Sequence, residues 1–525
     1  MTPHLTASTW RHVAAIVLLA ALVRVHAASR LECVSRDGVH FVEFAKQLAA
    51  DPVAAMKGTS KQPGYSYSLL GAMRLLGGDS TSNDPTLWLR AGQMVSVIGG
   101  VAACVLIYFL TRRLFEPMLA GIAGLFSALW PQGAELSGDV LSDMPHLALY
   151  LAALLAGLRA LEHTDCMRRM TGWAAACGAL AGAAYWLRQE ALGIEGAMFT
   201  CLLHAASRGK RLRVILAMVT LTVAFGLVSS PPSLITGNIM PNKNLGDLLF
   251  GEPAVSASPN GSLGAFILAE WLPWHKAPAR MADAWGASGQ YILSTLVVIG
   301  LFLRSAPRAR TTGAALVGMA IGLQLAAVLL RVKAYGEISS RYMVIPAALT
   351  IPWAAAGFAT LVSLIAARRP LRRASTIVAI AIVVALAPLA WFCSRPINAD
   401  KACLREAGQW LAQNAGSDDV IMAHDRLEQL MFYAGSFEGS PRWLAVGASG
   451  SPDAPLTPPA LLKELRATLA ARRPRWVIDA THTRRWSDAD DAAFFLELHG
   501  GAMPLREVKR FSTDKHDVFV FEANR

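Results

Sequence analysis

Carboxylates at the ends of apolar segments are the residues of this chain best placed to do chemistry: Asp37 in Ser35-Arg36-Asp37-Gly38, Asp139 and Asp143 in Gly138-Asp139-Val140-Leu141-Ser142-Asp143-Met144-Pro145-His146, and Glu190 in Leu187-Arg188-Gln189-Glu190. A carboxylate held at a hydrocarbon boundary is partly desolvated, which raises its pKa toward that of a useful general base. The plainer reading of each is a helix cap or a solvated loop charge. For Asp139, capping of the following span is favoured, since Asp is a preferred N-cap. His146 lies about one helical turn further on and suits hydrogen-bonded packing as well as catalysis. For Asp37 function is the favoured reading. Arg188, Arg331, Lys333 and Arg341 stand at the ends of separate spans, where they could converge on a phosphate at headgroup level. Snorkelling to ordinary phospholipids is the alternative, and it accounts for Arg331 and Lys333 equally well.

The elements that position these groups are membrane spans. The chain has 525 residues, 54% hydrophobic and 16% charged, with a mean hydropathy of +0.38, which is too apolar for a soluble enzyme of this length. Spans of roughly 17–25 apolar residues fit a hydrocarbon core of about 30 Å. About eleven occur, near 12–29, 92–111, 117–135, 140–160, 171–187, 190–207, 213–230, 287–303, 312–330, 342–366 and 376–394. Alternate connections are short and basic: Arg112–Arg113, Arg159 with Arg168 and Arg169, Arg208 to Arg213, Arg304 to Arg310, and Arg368 to Arg373. By the positive-inside rule these lie in the cytoplasm, as does the N-terminus. The formal charge of +12 is concentrated in these clusters, so topology explains it and nucleic acid is excluded as a partner. The first apolar stretch reads as an uncleaved helix, because Arg24 and His26 occupy the place of a cleavage site. Seven scattered cysteines lack metal-type spacing and imply no disulfide framework; Cys33, Cys393 and Cys403 face outward, which leaves room for one bridge that sequence does not assign.

The outer connections differ in character. Residues 30–91 contain an amphipathic helix near Phe41 to Ala50, with Phe41, Phe44, Ala45 and Leu48 on one face, expected to lie on the membrane surface. Trp88, Trp130, Trp186, Trp271, Trp274 and Trp391 fall where an aromatic belt would. A loop over 231–286 opens with Pro231–Pro232 and is expected to be irregular. These features make 1–395 a membrane domain. Residues 396–525 have the composition of a small soluble α/β domain on the outer side, with helices near 402–414 and 462–471 and strands near 420–423, 476–480 and 517–521.

The motifs resemble those of the GT-C superfamily of membrane glycosyltransferases, particularly the family-39-like branch of protein O-mannosyltransferases and lipid A aminoarabinose transferases. The carriers are Arg36-Asp37-Gly38, Gln62-Pro63-Gly64-Tyr65, the segment Asp139 to His146, Arg188-Gln189-Glu190 and Arg341-Tyr342. The resemblance covers about 1–395 and implies a polytopic α-helical GT-C fold. It also implies transfer of a sugar from a polyprenyl-phosphate carrier to a glycan, lipid or protein acceptor at the outer membrane face, with inversion. By resemblance Asp37 is the general base, Arg188 and Arg341 stabilise the leaving phosphate with Arg331 and Lys333 as weaker candidates, and Tyr65, Asp143, His146, Glu190 and Tyr342 position substrate. Many relatives carry an acidic pair in the first loop, whereas Gly38 follows Asp37 here.

No obligatory cofactor or metal is expected, since a lone Asp with a distant Asp143 or Glu190 is a poor divalent cage. The Ala- and Arg-rich composition points to a bacterial inner membrane, which places residues 396–525 in the periplasm. A transporter or flippase is the competing class, but span centres nearly lack ionisable residues. A scaffold whose outer domain binds a partner is the third.

Overall fold

The computed structural model describes residues 7–59, 61–207, 211–237, 276–303, 309–335, 338–367, 371–424, 427–436, 442–446, 458–480 and 505–523. A long helix α1 (Ala7–Ser29) leads to a cluster of short helices, α2 (Arg36–Ala50), α3 (Pro52–Lys57) and α4 (Gly64–Leu75). The bundle continues with α5 (Pro85–Leu114), α6 (Pro117–Ala128), α7 (Pro131–Gly138), α8 (Asp143–Glu162), α9 (Met167–Tyr185), α10 (Leu192–Ala206) and α11 (Arg211–Thr236). It closes with α12 (Ala277–Ser288), α13 (Ile292–Phe302), α14 (Thr311–Tyr335), α15 (Val344–Ala366) and α16 (Leu371–Cys393).

Among the described residues six helices, α1, α5, α8, α11, α14 and the helix through α15, are long and apolar enough to cross a membrane, and the pair α12–α13, bent by 111°, makes a seventh if it is one broken span and not a re-entrant loop. The protein is an integral membrane protein of the expected fold class. The other four expected spans are helical but shorter or less apolar, and 117–135 is broken between α6 and α7. At that break the buried Arg24 donates to the carbonyls of Ser127 (3.1 Å) and Ala128 (3.0 Å), covering helix-end acceptors that hydrocarbon cannot satisfy. Small residues bring the helices together, as van der Waals packing in a membrane requires. At Gly182 of α9, for instance, a Cβ would stand 3.0 Å from the Phe225 carbonyl oxygen of α11.

Several expectations are corrected. The apolar face of α2 is buried, with Phe44 and Leu48 packed on Ala55 and Met56 and against Tyr67, Leu70 and Ile235, so protein covers it where lipid was expected. Trp88 and Trp130 form no belt: both are buried, and their indoles donate to the Ser82 and Ser288 carbonyls at 2.8 Å each. Trp391 is exposed as expected, while Trp271 and Trp274 lie outside the described residues. Pro231 and Pro232 fall inside α11, and most of the expected irregular loop, 238–275, lies outside the described residues.

After α16 come α17 (Ala402–Asn414), β1 (Ile421–His424), α18 (Glu428–Tyr433), β2 (Trp443–Val446), α19 (Pro458–Arg472), β3 (Trp476–Ala480), β4 (Leu505–Ser512) and β5 (Asp517–Ala523). The strands form one sheet in the order β2-β1-β3-β5-β4. β1 pairs parallel with β2 and β3, and β5 pairs antiparallel with β3 and β4. Every residue of β3 is buried, as suits a central strand with short apolar sequence.

Candidate active site

Five pieces of backbone converge at the end of the bundle where α8 begins. Asp37 stands in the first turn of α2, where Ser35 is the N-cap and its hydroxyl accepts the Gly38 N–H at 3.2 Å. Asp143 opens α8. Both carboxylates therefore face the positive end of a helix dipole. Arg188 lies in extended backbone (φ −158°) between α9 and the 3₁₀ turn Gln189–Ala191 that carries Glu190. Arg341 lies in the 3₁₀ turn Ser340–Met343 before α15, with the Ser339 hydroxyl capping its N–H. The fifth piece is the bend between α3 and α4, where Lys61 stands. There Gly64 donates to the Trp186 carbonyl at 2.8 Å. A Cβ at Gly64 would sit 2.6 Å from that oxygen, so only glycine lets the bend approach the Arg188 segment so closely.

The side chains form one continuous ionic chain. Lys61 Nζ donates to Asp37 Oδ1 at 3.1 Å, and Arg341 Nη1 donates to Asp37 Oδ2 at 2.6 Å. Arg341 also forks onto Asp143, with Nε 2.8 Å from Oδ2 and 2.9 Å from Oδ1, and Nη2 2.6 Å from Oδ2. Arg188 Nη1 reaches Asp143 Oδ1 at 2.9 Å, and its Nη2 reaches Glu190 Oε1 at 2.7 Å. Three cations thus face three carboxylates. The centre is dry and the ends are wet: the Asp143 side chain is 3% exposed, against 46% for Asp37 and 34% for Glu190. A carboxylate as buried as Asp143 is tolerable only when both oxygens are paired, and both are.

The electrostatics correct one expectation. Burial does raise the Asp37 carboxyl, as the sequence suggests, but the adjacent Lys61 ammonium and Arg341 guanidinium outweigh it and hold the group below the usual carboxylate range. Asp139 is a second correction. The N-cap of α8 is Ser142, and Asp139 instead accepts the N–H groups of Val140 (2.7 Å) and Ser35 (3.2 Å), tying the α7–α8 connection to the peptide before Asp37.

Of the residues singled out from sequence, Asp37, Asp143, Arg188, Glu190 and Arg341 meet in this network. Arg331 and Tyr342 pair with each other, Nη2 lying 2.6 Å from the phenolic oxygen and the guanidinium 4.1 Å from the ring centroid. The Lys333 side chain lies outside the described residues. Tyr65 is buried in the wall, its hydroxyl bonded to Gly92 O (3.1 Å) and Ser96 Oγ (2.9 Å) and its ring edge-on to Phe41. His146 is buried with Nδ1 3.1 Å from the Ala184 carbonyl oxygen, and its Nε2 has no hydrogen-bond partner among the described residues. Lys61 was missed from sequence. It is a cation in a connection that the sequence assigns to the outer side, against the positive-inside trend, the signal that picked out Arg188 and Arg341, and it immediately precedes Gln62-Pro63-Gly64-Tyr65. Among the described residues no cluster of His, Cys, Asp and Glu has the arrangement of a metal site.

Comparison with known proteins finds the same fold among solved structures. The chain superposes on the crystal structure of ArnT from Cupriavidus metallidurans bound to undecaprenyl phosphate, with a TM-score of 0.59 and 14% identity over 98% of each chain. It has the fold of the GT-C membrane glycosyltransferases. A second GT-C-type match is the archaeal oligosaccharyltransferase AglB from Archaeoglobus fulgidus, in complex with an inhibitory peptide and a dolichol-phosphate. That match has a TM-score of 0.54 and 12% identity, and covers 89% of this chain and 69% of the other. The family described as dolichyl-phosphate-mannose-protein mannosyltransferase matches residues 89–234, the stretch that supplies Asp143, Arg188 and Glu190 to the network. No curated protein matches the sequence.

Proposed function

We propose that this chain is an integral-membrane glycosyltransferase that moves a sugar from a polyprenyl-phosphate carrier to an acceptor hydroxyl at the outer face of the membrane, inverting the anomeric centre. The observation that carries the reading is the Arg341 guanidinium, which touches Asp37 and Asp143 at once at 2.6 Å. It joins a cation able to take a phosphate to a carboxylate able to take a proton. The similar ArnT and AglB structures, which hold undecaprenyl phosphate and dolichol-phosphate, support a carrier of that class.

In the proposed reaction Asp37 removes the acceptor proton, the acceptor oxygen forms the new bond to the anomeric carbon, and the bond from that carbon to the phosphate oxygen breaks. Polyprenyl phosphate leaves with the electron pair. Arg341, Lys61 and Arg188 stabilise the charge gathering on it, and Asp143 keeps both guanidinium groups aimed at one point. The donor also prepares the base. A phosphate that draws Arg341 Nη1 and Lys61 Nζ away from Asp37 removes the two charges that depress it, so burial dominates and the carboxylate becomes more basic. The base then strengthens only when a donor is present.

The test is release of polyprenyl phosphate by the purified, reconstituted chain from a panel of polyprenyl-phosphate sugars, with cell-envelope extract as acceptor. Sugar-dependent release that falls at least about a hundredfold in Asp37→Ala is the expected result. Unchanged release in that variant would remove Asp37 from the chemistry, and no release with any donor would overturn the reading.

A further inference from the structure

The peptide that delivers Asp37 to the network is gripped by residues that follow α16. Glu32 N–H donates to the Ile397 carbonyl at 2.9 Å, and Ile397 N–H donates to the Arg30 carbonyl at 2.9 Å, forming a parallel bridge between Leu31 and Ile397. Asn398 Nδ2 donates to the Cys33 carbonyl at 2.8 Å. Helix α18 then takes Val34 from both sides: the Val34 N–H donates to Tyr433 Oη at 2.9 Å, and Gln429 Nε2 donates to the Val34 carbonyl at 2.8 Å. Glu428, the next polar residue on α18, receives Arg36 Nη2 at 2.7 Å.

These contacts are unlike those needed for mere docking. Val34, Glu428, Gln429 and Tyr433 are all buried, and a buried polar contact adds little net stability while costing heavily if one partner is lost. Apolar packing would fasten the sheet to the bundle as well. Pairing both the N–H and the C=O of one residue does something packing does not: it fixes the direction of the backbone at that residue. Val34 is followed by Ser35, the cap of α2, and Asp37 stands in the first turn of that helix. A small rotation at Val34 therefore swings the Asp37 carboxylate relative to Arg341.

We infer that Tyr433 and Gln429 are positioning residues for the transfer reaction, setting the place of the Asp37 carboxylate through the backbone of Val34, so that the C-terminal α/β segment forms part of the active-site geometry. The inference rests on the glycosyl-transfer reading of Asp37 given above.

Tyr433→Phe is the decisive variant, because it removes one hydroxyl and keeps the ring that packs edge-on against Phe432. Gln429→Leu removes the other contact, and Arg506→Ala, at an exposed ion pair on β4, is the control. Each full-length protein is reconstituted and compared for kcat, donor KM, melting temperature and hydrogen–deuterium exchange over residues 30–40. Tyr433→Phe and Gln429→Leu are expected to lower kcat about tenfold or more while donor KM stays within about twofold, since misplacement of a reacting group costs rate and leaves ground-state binding alone. Exchange over 30–40 rises in both, and Arg506→Ala matches the native chain in every measure. Native kcat in both variants, with or without a lower melting temperature, would show a grip that is structural only and overturn the inference while the transferase reading stands. A rise in KM at unchanged kcat would overturn it in favour of donor binding by this segment. A native chain that releases no polyprenyl phosphate from any donor would overturn the transferase reading and this inference with it.

Discussion

Asp143→Asn separates a catalytic network from a merely stabilising one. The native carboxylate accepts from Arg188 Nη1 through Oδ1 and from Arg341 Nε and Nη2 through Oδ2, inside a site where it is 3% exposed. The amide has nearly the same shape, but whichever end carries the NH₂ group presents donors to a guanidinium that is itself all donor. At least one charge-assisted contact is lost, at about 1.5–3 kcal/mol, and the two guanidiniums are left sharing no common anion in a dry site. Breaking a buried pair in this way costs about 3–5 kcal/mol in total. If the arginines serve the departing phosphate, their loss of aim appears in the rate. By analogy with removal of one oxyanion donor, kcat/KM is expected to fall about a hundredfold to a thousandfold. The assay is steady-state release of polyprenyl phosphate, run beside a thermal melt in the same detergent or lipid. A lowered melting temperature with kcat/KM within about threefold of native, less than 1 kcal/mol in the barrier, would refute the argument that Asp143 aims Arg341 and Arg188 at the reaction.

The remaining predictions concern Asp37 and its neighbour. Because Lys61 and Arg341 depress Asp37, it stays ionised in the donor-free enzyme well below neutral pH, and its stabilising contribution is present above the unfolded value of about 4 and lost as pH falls through the lower folded value. The melting-temperature gap between native and Asp37→Asn should therefore narrow as pH drops below about 4; a gap independent of pH there would contradict the pairing. In kinetics, the acid limb of kcat should lie at higher pH than that of kcat/KM, since only the donor-bound enzyme frees Asp37 from its cations. Coincident limbs would rule out the donor-dependent base. Gly38→Ala places a Cβ 2.8 Å from Val34 Cγ2 and 3.0 Å from the Val140 carbonyl oxygen. It should lower the melting temperature and cut turnover more than donor binding; a stable variant with native kcat would show that the segment before Asp37 can shift freely.

Much of this architecture was legible because bilayer solvation leaves few options. Alternating basic connections and apolar lengths indicate where α1, α5, α8, α11, α14 and α15 run, and the helix 402–414 and the strands near 420–423, 476–480 and 517–521 reappear within a few residues of their expected bounds. What failed has a common cause. Trp88 and the apolar face of α2 were assigned to lipid because hydropathy does not say whether an apolar surface meets acyl chains or other side chains; here Trp88 is buried, and α3, α4 and Ile235 of α11 cover the α2 face. The break between α6 and α7 is marked locally by Pro131, but the Arg24 that satisfies its carbonyls stands more than a hundred residues away in sequence. β2, β4 and α18 were not anticipated. β4 pairs at the sheet edge with most of its residues exposed, so its sequence carries no buried period.

The site was half legible for a related reason. Asp37, Asp143, Arg188, Glu190 and Arg341 could be chosen because each is a charge at the end of a span, but their pairing could not, and pairing decides the chemistry. Sequence alone makes Asp37 a desolvated carboxylate with a raised pKa; the fold places Lys61 and Arg341 against it and reverses the sign. Gly38 shows the same dependence. Position 38 has no room for a side chain, since Val34 and the Val140 carbonyl close on it. The closeness follows from the hold that Asp139, Tyr433 and Gln429 keep on residues 34 and 35. A side chain at position 38 would have to push against that hold, so the glycine and the tightly gripped loop are two expressions of the same packing. Asp37 is the carboxylate that both Lys61 and Arg341 contact, so its placement sets how those cations are aimed, and a grip on its backbone is the device such a site requires.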